Sequence, residues 1–236
     1  MSSLYKDKSE IQHRNKDAYK KSIGDLADKL RNTKKLDEDC FLLEGALLNR
    51  EKPHKPCHTE CNHTKVSNVS GRPTEKRICR CMYYYNENAE SCKKCTFKKK
   101  MELENSSRYQ IRDYEVPMDY VIKNVGGIDL EILDKETGIV YAAEVKPPKS
   151  HESLVRMIAE ILTYTIGKVS DTYRPAICFF DGSCQANDFK KAEIQNNDDF
   201  QHLLRMVDVF YITQEERGNV CRYAIHNNKE EPLCKS

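Results

Sequence analysis

The sequence has no apolar run long enough to span a bilayer, and its N-terminus lacks the hydrophobic stretch of a signal peptide. It also contains no internal repeat and no low-complexity tract. These absences argue against a membrane protein and against a secreted disulfide scaffold. We therefore expect a soluble, cytoplasmic protein with no membrane among its partners.

The composition is polar but still that of a folded chain. Charged residues make up 32% of the sequence, the hydrophobic class makes up 39%, and the mean hydropathy is −0.76. Thirteen tyrosines and seven phenylalanines argue against wholesale disorder. A chain of 236 residues is long enough for one large domain or two small ones.

Six of the eleven cysteines lie in three close pairs between residues 57 and 95. In a reducing compartment, such pairs are more typical of metal ligands than of disulfides. Because residues 51–110 are poor in apolar side chains, bound zinc would replace a hydrophobic core there. An iron–sulfur cluster and plain thiols are the alternatives, and either one or two zinc ions would fit. The predicted structural zinc ligands are Cys57, Cys61, Cys79, Cys81, Cys92 and Cys95, with His58 and His63 as alternates.

The same segment is basic. Residues 51–100 contain twelve Lys and Arg against five Asp and Glu, although the net charge of the chain is only +2. A basic surface of this kind suits nucleic acid, and a solvated basic loop is the alternative. Three consecutive tyrosines, 83–85, could stack on unpaired bases or pack around the metal. The candidate phosphate contacts are Arg72, Lys76, Arg77, Arg80, Lys93, Lys94, Lys98, Lys99 and Lys100.

Hydrophobic periodicity predicts a sheet with flanking helices. The predicted helices cover 8–32, 37–49, 151–168 and stretches within 187–205, and the predicted strands cover 120–125, 128–133, 139–146, 175–180, 207–213 and 220–226. A loose tail is expected from Asn227 onward. The expected fold class is α/β (α+β), a mixed central sheet flanked by helices plus a small Cys-rich metal-binding module. We divide the chain into N-terminal helices (1–52), the basic Cys-rich zinc module (53–100) and the core (101–236).

A group of charged residues marks the ends of two neighbouring predicted strands. Asp129 begins one strand, and Glu144 and Lys146 close the next, on one face because strand side chains alternate. If the pairing register brings the strand ends together, two carboxylates converge and repel each other unless a cation intervenes. Mg²⁺ or Mn²⁺ suits such ligands, and a metal-bound water can attack a phosphodiester. Ordinary solvated charges at the strand ends are the alternative.

The spacing of these residues resembles the catalytic signature of the PD-(D/E)xK nuclease superfamily. Gly126-Gly-Ile-Asp129 is followed, after fourteen residues, by Glu144-Val-Lys146. In the next predicted helix, Glu160-Ile-Leu-Thr-Tyr164 is similar to the Gln-x-x-x-Tyr motif of the RecB-like branch, with Glu in place of Gln. The resemblance implies a restriction-endonuclease-like fold with the order α-β-β-β-α-β, in which 37–49 is the first helix.

The resemblance also implies roles for individual residues. Asp129 and Glu144 would bind the catalytic Mg²⁺ or Mn²⁺, and Lys146 would position the attacking water. Glu160 and Tyr164 would support the site or contact DNA. A further carboxylate is expected from the first helix, for which the candidates are Glu44 and, as a weaker choice, Glu115.

The expected activity is therefore that of a metal-dependent nuclease with DNA as its substrate and a zinc module that helps to grip it. Restriction, anti-phage defence and DNA repair are all compatible with such an enzyme, as is a homodimer. The alternative is a non-catalytic zinc protein that binds nucleic acid or protein on a nuclease-like scaffold. A zinc hydrolase is disfavoured because thiolate-rich sites are closed and the sequence contains no His-Glu-x-x-His.

The zinc hypothesis predicts that removal of zinc unfolds residues 56–100 before the sheet. Limited proteolysis with and without a chelator, read by mass spectrometry, should show new cuts confined to this segment. A cleavage pattern that the chelator leaves unchanged would contradict structural zinc.

Overall fold

The computed structural model describes residues 24–28, 75–85, 90–93, 100–104, 108–117, 127–165, 168–218 and 220–233. The helices are α1 (Glu75–Tyr84), α2 (Glu90–Lys93), α3 (Leu154–Tyr164), α4 (Cys184–Lys190), α5 (Ala192–Gln195) and α6 (Asp198–Leu204), and residues 24–28 are also helical. The strands are β1 (Lys100–Leu103), β2 (Tyr109–Pro117), β3 (Gly127–Asp134), β4 (Val140–Lys146), β5 (Tyr173–Phe180), β6 (Asp208–Arg217) and β7 (Val220–Asn227).

The seven strands form one mixed sheet in the order β1-β7-β6-β5-β4-β3-β2. Strands β2, β3 and β4 form an antiparallel meander, whereas β4, β5 and β6 run parallel to one another. Strand β7 is antiparallel to β6, and β1 runs parallel to β7. The predicted mixed sheet flanked by helices is therefore confirmed.

Helices cover both faces of the sheet. On one face, Ile158 and Ile161 of α3 belong to a hydrophobic layer that includes Ile177 of β5. On the other face, Ile78 and Met82 of α1 join a second layer. Cys178 is fully buried in that second layer, where it packs as a small core residue. Strand β4 lies between the two layers and is buried along its whole length. None of the helices in the described ranges is long and apolar enough to cross a membrane.

The meander differs in part from the sequence expectation. The predicted strand 120–125 and helix 37–49 lie outside the described residues, as does most of the predicted helix 8–32. The sequence pattern does not predict β2, in which charged residues at 112, 113 and 115 interrupt the apolar alternation. Pairing with β3 stabilises this strand despite its composition.

An irregularity in β2 shapes the start of β3. The pairing register shifts between Ile111 and Asp113, and Glu115 has a φ of 48°, which is unusual for a residue with a side chain. The alternation predicted over 128–133 is consequently interrupted, since Ile128 packs in the α3 layer and Leu130 packs in the α1 layer.

Glycine is needed at the beginning of β3. A Cβ at Gly127 would lie 2.9 Å from the carbonyl oxygen of Val116, closer than such contacts allow. The absence of a side chain lets β3 approach β2 at this point, two residues before Asp129.

The C-terminal part also differs from the prediction. The helical stretches expected within 187–205 are three short helices, α4 to α6. The prediction of a loose tail is wrong for residues 228–233. The backbone N–H of Asn228 donates to the carbonyl of Val209 at 2.9 Å, and Leu233 packs against the α3 layer. These contacts hold the chain against the sheet after β7 ends.

Asp134, at the end of β3, is fully buried and accepts hydrogen bonds from Arg108, from Thr137 and from the N–H of Glu136. The bond from Arg108 holds the pKa of this carboxyl well below its usual range. We expect Asp134→Asn to lower the free energy of unfolding by about 2 kcal/mol at pH 7. Because the native carboxyl has the lower pKa, this difference should shrink progressively as the pH falls below about 4.

Urea unfolding at several pH values would measure the effect of Asp134→Asn. Glu136→Gln is the matched control, since the Glu136 side chain is 67% exposed and its loss should cost less than about 0.5 kcal/mol. Equal losses in the two variants would contradict the structural role of Asp134.

Candidate active site

The side chain of Asp129 forms a hydrogen bond to β4 just beyond the point where the backbone pairing of β3 with β4 ends. Regular pairing extends from Leu133 opposite Val140 to Leu130 opposite Ala143. Beyond that point, Oδ2 of Asp129 accepts a hydrogen bond from the backbone N–H of Val145 at 2.7 Å. The carboxylate of Asp129 therefore lies beside the end of β4, where Glu144 and Lys146 stand.

Lys146 is the centre of the cluster at this end of the sheet. Its side chain is 7% exposed, and four glutamates from four parts of the chain surround its ammonium group. The Nζ–carboxylate distances are 2.5 Å to Glu144, 3.1 Å to Glu75, 3.2 Å to Glu152 and 3.8 Å to Glu160. Helices α1 and α3 cover opposite faces of the sheet. Glu75 of α1 and Glu160 of α3 both reach the ammonium group of Lys146 at the end of β4.

Arg156 is the second cation of the cluster. It lies on α3 and forms ion pairs with Glu160, one turn later, and with Glu152, which precedes the helix. Together with Asp129, five carboxyl groups face Lys146 and Arg156, so with every group ionised the negative charge would exceed the positive charge by three.

The pKa values of the cluster reflect this excess of negative charge. Burial and the nearby carboxylate of Asp129 raise the pKa of Glu144 well above its usual range. Burial and the charge of Glu75 do the same for Asp129. Burial alone would lower the pKa of Lys146, but the surrounding carboxylates, Glu144 first, outweigh it and raise the pKa. Lys146 is therefore an ammonium ion at neutral pH.

One oxygen of Glu144 has no hydrogen-bond partner. Glu144 is 3% exposed; Oε1 accepts from Lys146, whereas Oε2 is buried without a donor. A buried carboxylate oxygen without a partner is costly, and a hard divalent cation would satisfy it. In the described ranges, no three His, Cys, Asp or Glu side chains are arranged around an open metal position. This agrees with the geometry, because the ammonium group of Lys146 occupies the centre.

The structure brings together most of the predicted catalytic residues. Asp129, Glu144, Lys146 and Glu160 belong to the cluster described above. The Tyr164 phenol lies close enough that burial and the charge of Glu144 raise its pKa. Glu44 lies outside the described residues, and the weaker candidate, Glu115, pairs instead with Lys76 at 3.2 Å.

Only part of the predicted zinc module is described. Of its candidate ligands, Cys79 and Cys92 are buried and Cys81 is half-buried, in or next to α1 and α2. Burial and the charge of Asp129 raise the pKa of the Cys79 thiol. The structure does not describe Cys57, Cys61, Cys95, His58 and His63.

The predicted nucleic-acid contacts are divided between buried and exposed positions. Arg77 is buried at 5% exposure, and the guanidinium of half-buried Arg80 lies 6.0 Å from the ring centre of Tyr114. Lys76 and Lys93 are exposed. The side chains outside the described part of the chain are those of Arg72, Lys94, Lys98, Lys99 and Lys100.

Sequence reasoning missed three charged members of the cluster, Glu75, Glu152 and Arg156. A signal for two of them exists, since Glu152, Arg156, Glu160 and Tyr164 recur every four residues, the spacing that aligns side chains along one helix face. The paired cysteines obscured Glu75, because they made α1 resemble a zinc module and not a helix that packs on the sheet.

No protein-family model, no curated protein and no solved structure matches this chain. The nuclease superfamily named above therefore rests on the quoted residues alone. What the protein does must be inferred from the geometry and the charge of the cluster around Lys146.

The excess of negative charge predicts that the metal-free protein is strained at this site. Since the pKa of Glu144 is raised in the folded state, ionisation of this carboxyl costs stability as the pH rises above about 4.5, its value in the unfolded chain. In a chelator, Glu144→Gln should therefore be more stable than the native protein at pH 8 by about 1 kcal/mol, and the gain should shrink toward pH 5.

Thermal unfolding of the two proteins across this pH range, with EDTA throughout, would measure the difference. The exposed substitution Glu136→Gln serves as the control and should shift the midpoint little at any pH. A Glu144→Gln protein that is less stable at pH 8 would show that the carboxylate is satisfied without a metal ion.

Proposed function

We propose that the protein is a Mg²⁺- or Mn²⁺-dependent nuclease of the PD-(D/E)xK type, with DNA as its substrate. The observation that carries the proposal is the convergence of Asp129, Glu144 and Lys146 at the end of β4, with Oε2 of Glu144 unsatisfied. Two carboxylates beside a buried ammonium group suit a hard divalent ion and a phosphate group together.

The connectivity supports the same proposal. A helix (α1) precedes an antiparallel meander (β2–β3–β4), and a second helix (α3) then leads to a strand (β5) parallel to β4. The resemblance implies the order α-β-β-β-α-β, and here the short helix α2 and the edge strand β1 lie between α1 and the meander. In this interpretation, the restriction-endonuclease-like core begins at α1 and not at the predicted helix 37–49.

Glu75 fits the role for which the sequence offered Glu44 and Glu115. It is the first residue of α1, and its Oε2 lies 3.1 Å from Nζ of Lys146. We therefore assign Glu75 as the first-helix carboxylate of the proposed site. The buried position of Arg77 and the contact of Arg80 with Tyr114 leave exposed lysines such as Lys93 as phosphate contacts.

The proposed chemistry divides among the residues of the cluster. Asp129 and Glu144 would hold the metal ion, which supplies a bound water of lowered pKa and a positive charge beside the phosphate. Lys146, as an ammonium ion, donates hydrogen bonds and can hold the attacking water or offset charge on the phosphate, but it is not a base in this state. The raised pKa of Tyr164 keeps its phenol protonated, so that it could act as a hydrogen-bond donor in the proposed site.

Cleavage of plasmid and single-stranded DNA with Mg²⁺ or Mn²⁺ would test the proposal. We expect cleavage that EDTA abolishes and that Lys146→Ala reduces by about a hundredfold or more. Lys135→Ala, on the exposed turn between β3 and β4, is the control and should cut like the native protein. Circular dichroism of each variant shows whether its fold is kept.

The outcomes separate the alternatives. Equal cleavage by native protein and Lys146→Ala would place the activity elsewhere, in a contaminant or in another site. If the protein binds nucleic acid but cuts neither DNA nor any RNA of a test panel, the result would favour a non-catalytic scaffold that binds nucleic acid.

A further inference from the structure

Arg156 holds an unusual position on α3. It is 8% exposed, and Glu160 is the only other charged residue of its helix. Its NH2 group lies 2.5 Å from Oε1 of Glu160, and its Nε lies 3.4 Å from Oε2 of Glu152. A guanidinium group is buried in proteins only at a considerable cost, so its two carboxylate partners must offset that cost.

Arg156 and Lys146 each form ion pairs with carboxylates of the cluster, and both of them pair with Glu160. The two oxygens of Glu160 go to different cations, Oε1 to Arg156 at 2.5 Å and Oε2 to Lys146 at 3.8 Å. Of the four ion pairs of Lys146, the one with Glu160 has the longest distance, whereas the distance to Glu144 is 2.5 Å. Arg156 thus binds the carboxylate that would otherwise compete with Glu144 for Lys146.

Arg156 also compensates the charge of the unusual Glu at position 160. The motif that this helix resembles carries an amide there, so Glu160 adds one negative charge to a cluster that already holds four other carboxylates. Arg156 adds one positive charge a single helical turn away. The ion pair of Arg156 and Glu160 is therefore neutral overall, as a single amide at position 160 would be.

We propose that Arg156 is a positioning residue of the site: by binding Glu160 and Glu152 it keeps Lys146 beside Glu144 and limits the negative charge around the metal position. The inference rests on the proposed function, since its effect on rate is measured through DNA cleavage. Arg156 itself touches neither metal nor substrate in this scheme.

The experiment uses the full chain and measures two quantities, Mn²⁺ affinity by titration calorimetry and the kcat and KM of DNA cleavage. Arg156→Gln removes one positive charge and leaves one carboxylate charge uncompensated, so Mn²⁺ should bind about tenfold more tightly. The kcat should nevertheless fall about tenfold at saturating Mn²⁺, because Lys146 moves toward Glu160, while KM stays nearly unchanged. A merely structural defect would weaken Mn²⁺ binding.

Three further variants and one control complete the comparison. Glu160→Gln should weaken Mn²⁺ binding, since it removes one negative charge. The double variant Arg156→Gln/Glu160→Gln should return both affinity and kcat to within about threefold of the native values, because the net charge is restored. Arg156→Lys should keep the native Mn²⁺ affinity with an intermediate kcat. Arg205→Gln, an exposed arginine after α6, is the matched control and should change neither quantity.

The results distinguish the inference from the proposed function. If the native protein binds Mn²⁺ and cuts DNA but Arg156→Gln weakens Mn²⁺ binding, or the double variant is not rescued, the role of Arg156 is overturned alone. If the native protein binds Mn²⁺ but cuts nothing, the nuclease proposal fails and the order of affinities still decides the charge-limiting role. If it binds no Mn²⁺, both fail.

Discussion

The ammonium group of Lys146 is the contact on which the site depends. It lies at the end of the most deeply buried strand, and it is the point where α1 from one face of the sheet and α3 from the other reach the same atom. Without this cation, the carboxylates of Glu75, Glu144 and Glu160 would face each other in a buried space and repel one another strongly. The positive charge of Lys146 therefore stabilises the cluster. The carboxylates of the cluster still outnumber its two cations, Lys146 and Arg156.

Such an imbalance is costly to a fold and is typical of a site that serves a function and not stability. The surrounding sheet can carry the cost because two hydrophobic layers cover β4 on both sides. The strained backbone at Glu115 and the close approach at Gly127 lie on the two strands next to this site. Departures from regular geometry are thus concentrated around the charged cluster.

Local patterns predicted much of this molecule, and long-range contacts account for the rest. Strands β3 to β7 and helix α3 follow from hydrophobic periodicity, and Asp129, Glu144 and Lys146 follow from their place at the strand ends. Strand β2 could not be predicted in this way, because its charged residues are stabilised by pairing with β3 and not by its own pattern. Glu75 was beyond reach for a similar reason, since 71 residues separate it from Lys146 and only docking of α1 on the sheet joins them.

The hydrogen bond from the N–H of Val145 to the carboxylate of Asp129 means that this side chain has two roles. It extends the β3–β4 ladder by one hydrogen bond, and it supplies charge to the site. Replacing it with alanine would therefore loosen the end of β4 as well as remove the charge, so a loss of the proposed activity could not be assigned to the charge alone. Asparagine keeps one accepting oxygen for the N–H of Val145 and removes the charge, so the amide separates the electrostatic contribution of this residue from its hydrogen bond to β4.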